Sequence, residues 1–199
     1  MASSAQKVRI SPGDALIVVD VQNDFLPGGS LAVPDGDAVV PVLNRYLAEF
    51  GARGLPIYTT RDWHPPNHCS FKAQGGPWPP HCVAETHGAR FAAGLKFPSD
   101  ALIISKATKP DKDAYSGFEE TDLDRLLRVQ NVKRVFIGGL ATDYCVLNTA
   151  RDACRLDYDV YLLSDAIRAV NVKSDNGRKA EAEMQRFGAK PITLAAFGT

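Results

Sequence analysis

The chain has 199 residues, enough for one domain with a sizeable core. Its 23 lysines and arginines balance 23 aspartates and glutamates with no basic run, which argues against a nucleic-acid partner. The longest apolar runs are strand-sized, which argues against a membrane span.

Residues 1–13 are small and polar and are expected to fray. They carry no apolar stretch like that of a signal peptide. The four cysteines, Cys69, Cys82, Cys145 and Cys154, show no C-x-x-C pairing, so a cytoplasmic protein with reduced thiols is the simplest reading. The apolar run at residues 15–21, which includes Asp20, predicts a parallel strand buried on both faces. A loop follows through Gln22, Asn23, Asp24 and Phe25. Helical spacing of Val39, Val40, Leu43, Leu47 and Phe50 predicts a helix over residues 37–50, closed by Gly51 and Gly54. Residues 55–60 predict a second strand, and Asp62 follows it.

Residues 62–99 are dense in proline and glycine and hold all four histidines, His64, His68, His81 and His87. A loop of this length in a compact domain is more often functional than idle. A third strand is predicted at residues 101–105, just before Lys106, and a helix over residues 121–129 with a start signal at Thr121. The apolar run from Val135 to Ile137, then Gly138 and Gly139, predicts a fourth strand and a sharp turn. Thr142 or Asp143 can cap the helix that follows, which puts Cys145 in its first turn. A fifth strand is predicted at residues 161–164, a helix at 174–187 ended by Gly188, and a sixth strand at 192–194. Alternating strands and helices imply one α/β domain over residues 1–199: a doubly wound, mostly parallel sheet of about six strands with helices on both faces.

In such sheets ligands bind beyond the carboxyl ends of the strands. Asp20, Asp62, Lys106 and Cys145 each fall at or just past such an end. A cysteine at a helix start meets partial positive charge and free N–H groups, both of which favour a nucleophilic thiolate. The alternative is a small buried hydrophobe, the usual fate of a free cysteine. With Asp20 as proton acceptor and Lys106 as counter-charge, Cys145 could attack a carbonyl, and the N–H groups of Ala141 and Cys145 could receive the oxyanion. Asp62 and His64 point to one side of an extended chain, and His81 can complete a set of two histidines and one carboxylate. That set suits one divalent metal: zinc first, with iron or manganese as alternatives. His68 is a weaker fourth candidate, and His87 reads as a surface histidine. Phe25, Trp63, Trp78 and Tyr115 are aromatics near the expected pocket, where two could flank a planar ring.

These motifs resemble those of the nicotinamidases, also called pyrazinamidases, within the isochorismatase-like cysteine hydrolases. The resemblance runs from Asp14 to about Phe197. It rests on Val19-Asp20-Val21-Gln22-Asn23-Asp24-Phe25, Asp62-Trp63-His64-Pro65, Trp78-Pro79-Pro80-His81-Cys82, Lys106, Ala114-Tyr115-Ser116-Gly117-Phe118 and Gly139-Leu140-Ala141-Thr142-Asp143-Tyr144-Cys145. It implies the isochorismatase-like fold and hydrolysis of nicotinamide to nicotinate and ammonia, with pyrazinamide as a second substrate. By the same resemblance Asp20, Lys106 and Cys145 form the triad, and Asp62, His64 and His81 bind the metal. Phe25 and Trp78 sandwich a pyridine ring whose nitrogen meets that metal. A cis peptide before Ala141 turns its N–H toward the oxyanion. Tyr115 joins the substrate-binding set. The alternative within the superfamily is another small amide, a carbamoyl or ureido compound. Monomer and homo-oligomer both remain open.

Overall fold

The computed structural model describes residues 7–197. Six parallel strands build the sheet: β1 (Asp14–Val19), β2 (Ile57–Asp62), β3 (Leu102–Lys106), β4 (Arg134–Leu140), β5 (Asp159–Arg168) and β6 (Lys190–Ile192). Their spatial order is β3-β2-β1-β4-β5-β6. Chain order reverses between β1 and β4, which pair from Asp14↔Arg134 to Val19↔Gly139. A crevice at the carboxyl end of the sheet is expected at that switch.

β1 has no exposed residue, because its side chains face apolar layers on both sides. Leu16 and Val18 pack toward α1 (Val39–Gly51), with Leu43, Tyr46, Leu47 and Phe50. Ala15, Ile17 and Val19 pack toward the other face, with Leu123 and Leu127 of α2 (Leu123–Val129), Ala150 and Ala153 of α3 (Leu147–Arg155), and Met184 of α4 (Asn176–Arg186). The doubly wound α/β arrangement therefore matches the sequence-based expectation.

Three local expectations need correction. β5 is ten residues long, because the chain continues past an irregular register between Ile137 and Gly139 to pair Leu140 with Arg168. The helix expected from residue 121 begins at Leu123; the Thr121 hydroxyl accepts the Leu123 N–H (3.3 Å) and donates to the Gly117 carbonyl (2.6 Å). Fraying does not hold for residues 8–10: Val8 bridges to Phe197, and Ile10 is buried in the α1-side core. Alternating apolar side chains give that segment a face to bury. Residues 1–6 lie outside the described residues.

Among the described residues, no helix is long and apolar enough to cross a membrane.

Candidate active site

Asp20 leaves β1 in the left-handed region (φ 47°), which an aspartate tolerates better than most residues. Its N–H donates to the Thr60 carbonyl at 3.2 Å, and the Thr60 hydroxyl donates to its Oδ1 at 2.6 Å. Beside it, Gly139 (φ +124°) brings β4 so close that a Cβ would lie 2.1 Å from the Val19 carbonyl oxygen. Only glycine fits there. The peptide Leu140–Ala141 is cis, as the resemblance implied.

The turn that follows is a π-turn, Thr142–Val146, leading into α3, with the Val146 N–H bonded to the Ala141 carbonyl at 3.1 Å. Neither Thr142 nor Asp143 caps the helix. The Asp143 carboxylate instead accepts the N–H groups of Val170 and Asn171, both at 2.9 Å, fastening the chain after β5 to the turn that holds Cys145.

Asp20, Lys106 and Cys145 converge. Lys106 is almost wholly buried, with Nζ 3.0 Å from Asp20 Oδ2 and 3.5 Å from Cys145 Sγ. It also donates to the Ala114 carbonyl (3.1 Å) and to Asp62 Oδ1. Burial disfavours the ammonium, but Asp20 and Asp62 together outweigh burial and push its pKa well up. Asp62 is also buried, yet Lys106 holds its carboxyl below the usual range. Asp20 is left with the smaller share of one ammonium. Burial, partly offset by Lys106 and reinforced by Asp62, raises it to about 6.

The Cys145 thiol behaves differently from expectation. Burial pushes its pKa well up; Lys106 opposes that rise, and Asp20 adds to it. That direction favours the protonated thiol, with the Asp20 carboxylate beside it. The pull of a helix start is outweighed where the surroundings are dry and already hold two carboxylates.

Asp62, His64 and His81 form a second cluster whose donor atoms lie within 4.8 Å of one another. His64 Nδ1 faces the Ala107 carbonyl (3.2 Å), and His81 Nδ1 faces the Pro79 carbonyl (2.8 Å). A carbonyl only accepts, so each Nδ1 carries the hydrogen and each Nε2 presents a lone pair. Among the described residues His64 Nε2 is buried with no hydrogen-bond partner, and burial lowers the His64 pKa to about 4, keeping the ring neutral. Two imidazoles oriented through Nδ1, with a carboxylate beside them, fit a divalent metal. Asp20, Asp62 and Cys145 are also clustered, but the Lys106 ammonium already stands among them as their cation.

His68 is not in the metal cluster. Its Nδ1 accepts the Ser70 N–H (3.3 Å) and lies 2.7 Å from the Ser70 hydroxyl, so Nε2 carries the hydrogen and donates to the Lys112 carbonyl (3.0 Å). Both nitrogens are used, and its ring lies tilted against that of His64, with centroids 4.1 Å apart. Lying only four residues after His64, His68 invited a reading as a ligand, but its hydrogen bonds engage both ring nitrogens elsewhere. His87 is exposed, against Asn23, as expected.

Between the two clusters lies a small, partly enclosed cavity. Phe25, Trp78 and Tyr115 line it, as expected, with Asp62, His81, Ala141 and Cys145. The Trp78 indole N–H donates to the Tyr115 hydroxyl at 3.0 Å. Trp63 does not line this cavity; it packs against the α1-side core under the Arg61 guanidinium, 3.6 Å away. Leu31, Tyr144 and Val170 complete the wall without having been anticipated. Tyr144 was findable as the neighbour of Cys145, whereas Leu31 and Val170 carry no sequence signal.

Fold and site together define an α/β protein with Asp20, Lys106 and Cys145 gathered at one rim of its parallel sheet. The Isochorismatase domain model matches residues 14–196, and the chain belongs to that family. It is 38% identical to a nicotinamidase of Escherichia coli, over 92% of this chain and 96% of that one. Among solved structures, the pyrazinamidase of Pyrococcus horikoshii in complex with zinc is 52% identical, with a TM-score of 0.88 over 92% of this chain and 100% of that one. PnC1 of L. infantum, in complex with nicotinate, is 38% identical, with a TM-score of 0.90 over 96% and 98%.

Proposed function

We propose that this chain, acting as one domain, is a nicotinamidase that hydrolyses the carboxamide of nicotinamide to nicotinate and ammonia, and that it also accepts pyrazinamide. The observation that carries this reading is the apolar, aromatic-walled cavity with Cys145 among its lining residues and Asp62 and His81 on the same wall. A flat heteroaromatic amide satisfies both ends of that cavity at once. The relatives named above support the same substrate class.

In this reading Asp20 takes the Cys145 proton as sulfur attacks the carboxamide carbon. A base near 6 beside a neutral thiol suits that transfer, because the proton moves only when the new C–S bond forms. The N–H groups of Ala141 and Cys145 receive the developing oxyanion. Collapse breaks the C–N bond, and Asp20 returns the proton to the departing ammonia. Water then attacks the thioester as Asp20 accepts its proton. The C–S bond breaks, the sulfur recovers that proton, and the acid so formed releases its own proton to solvent, leaving nicotinate. Lys106 stays charged throughout and offsets the carboxylate and the sulfur in turn. Asp62, His64 and His81 would hold a divalent metal, zinc first and iron or manganese otherwise. The metal supplies a Lewis-acid anchor for the pyridine nitrogen. Phe25 and Trp78 hold the two faces of the ring.

The deciding experiment is ammonia release from nicotinamide, pyrazinamide and a panel of carbamoyl and ureido compounds, with metal analysis of the same preparation. The two heteroaromatic amides are expected to lead by orders of magnitude. A preference for a carbamoyl or ureido compound would overturn the reading.

A further inference from the structure

Gln22 is wholly buried and outside the cavity lining, yet both of its side-chain donors and its side-chain oxygen are engaged by two distant segments. Its Oε1 accepts the Asp62 N–H at 2.8 Å. Its Nε2 donates to the Asp62 carbonyl at 2.8 Å and to the Ala89 carbonyl at 2.9 Å. The first two bonds form a closed pair between a carboxamide and both backbone groups of one residue.

The need for that pair follows from how β1 ends. In a parallel sheet the N–H and carbonyl of one residue point to the same neighbouring strand, and those of the next residue point to the other. The carbonyl of Thr60 faces β1, where it accepts the Asp20 N–H at 3.2 Å. Those of Asp62, two residues on, face the same way. At Asp20 the chain turns into the left-handed region, and Gln22 instead pairs its backbone with Phe91. The strand that should satisfy Asp62 has left. A buried peptide N–H or carbonyl left without a partner is destabilising, so a substitute partner is required. Gln22 supplies it with a side chain. On its other side Asp62 remains in register with Lys106 of β3.

Asp62 is also the residue the two clusters share. One carboxylate oxygen bonds the Lys106 ammonium; the other lies 3.7 Å from His64 Nε2. A small rotation of its backbone would move the carboxylate against both.

We propose that Gln22 is a positioning residue: its carboxamide replaces the missing strand partner of Asp62 and so sets the direction of the carboxylate shared by the metal trio and Lys106. The zinc side of this inference rests on the metal reading given under the proposed function. Glutamate at this position keeps the acceptor but loses both donors, and methionine keeps the length but loses all three bonds.

The test compares wild type with Gln22→Met and Gln22→Glu by competition for zinc(II) against a chromophoric chelator, alongside thermal unfolding. Groups that orient a metal ligand typically contribute about 10–100-fold in affinity, so a loss of about tenfold or more is expected in a variant that is still folded. A merely structural role would lower the melting temperature and leave the zinc affinity of the folded protein within about threefold of wild type, and that result overturns the proposal. Should Gln22→Met fail to fold, Gln22→Glu is read by the same criterion. If the wild-type chain takes up no zinc, the metal reading itself fails. The rate of Cys145 alkylation then decides for Gln22, because Lys106 ties Asp62 to the sulfur. A rate within about threefold of wild type overturns the proposal, and a change of about tenfold sustains it, on the same scale.

Discussion

The two sides of the cavity are held in different ways. Asp20, Lys106 and Cys145 sit at or just past the ends of β1, β3 and β4, where the backbone ladder fixes position to within a residue. His64 and His81 sit in a segment with little regular structure, held by one short backbone bridge from His64 to Val83 and by polar contacts to distant parts of the chain. The Cys82 N–H next to His81 is bound by the Asp24 carboxylate at 2.7 Å, and the His68 ring bonds the Lys112 carbonyl at 3.0 Å. Asp62 belongs to both sides, at the end of β2 and under Gln22. In the proposed reading, the attacking sulfur is placed mainly by the strand ends and the Asp143 tie, whereas the proposed ligand set lies on a loop and leans more on dedicated polar contacts.

This contrast predicts that the two sides can be broken separately. Cys145→Ala should reduce ammonia release by about five to six orders of magnitude, the scale seen when a nucleophile is removed. Its zinc content, measured on the same sample, should stay equal to wild type; loss of zinc would tie the two sides together. His81→Ala should do the reverse. Zinc uptake should fall by on the order of 100-fold and the KM for nicotinamide should rise, while Cys145 still reacts with an alkylating agent at near the wild-type rate.

A third measurement isolates the sheet side. Asp20 must be ionised to accept the thiol proton, and its carboxyl lies at about 6. The kcat/KM should therefore be full above that pH and fall about tenfold per unit below it. A profile still flat at pH 5 would remove Asp20 as the base. The smallest effect belongs to His68. His68→Gln should leave zinc stoichiometry unchanged and cost about 1 kcal/mol of stability, the worth of one hydrogen bond, read by denaturant unfolding. Loss of zinc in that variant would return His68 to the ligand set.

Legibility in the sequence followed the same division. The strand around Asp20 was readable because an unbroken apolar run has one stable place in an α/β fold, the middle of the sheet. Placing Lys106 and Cys145 on the same rim needed only the rule that strand ends carry the site. The loop gave up its histidines, through their number and spacing, but not their roles. His64 and His68 look alike in sequence, and only the carbonyl at Ala107 and the pair formed by Ser70 and Lys112 separate them.

The sequence by itself determined the order of elements, the rim on which the polar groups gather and the chemistry those groups can perform. These depend on apolar periodicity and residue type, which are local. Only the tertiary structure decided which imidazole keeps a free lone pair, that burial favours the protonated thiol, that Trp63 lies away from the cavity, and that Gln22 stands in for a strand. Each of those outcomes depends on burial or on a partner far away in the chain, 40 residues for Gln22 and Asp62 and 44 for His68 and Lys112. No spacing rule reaches that far.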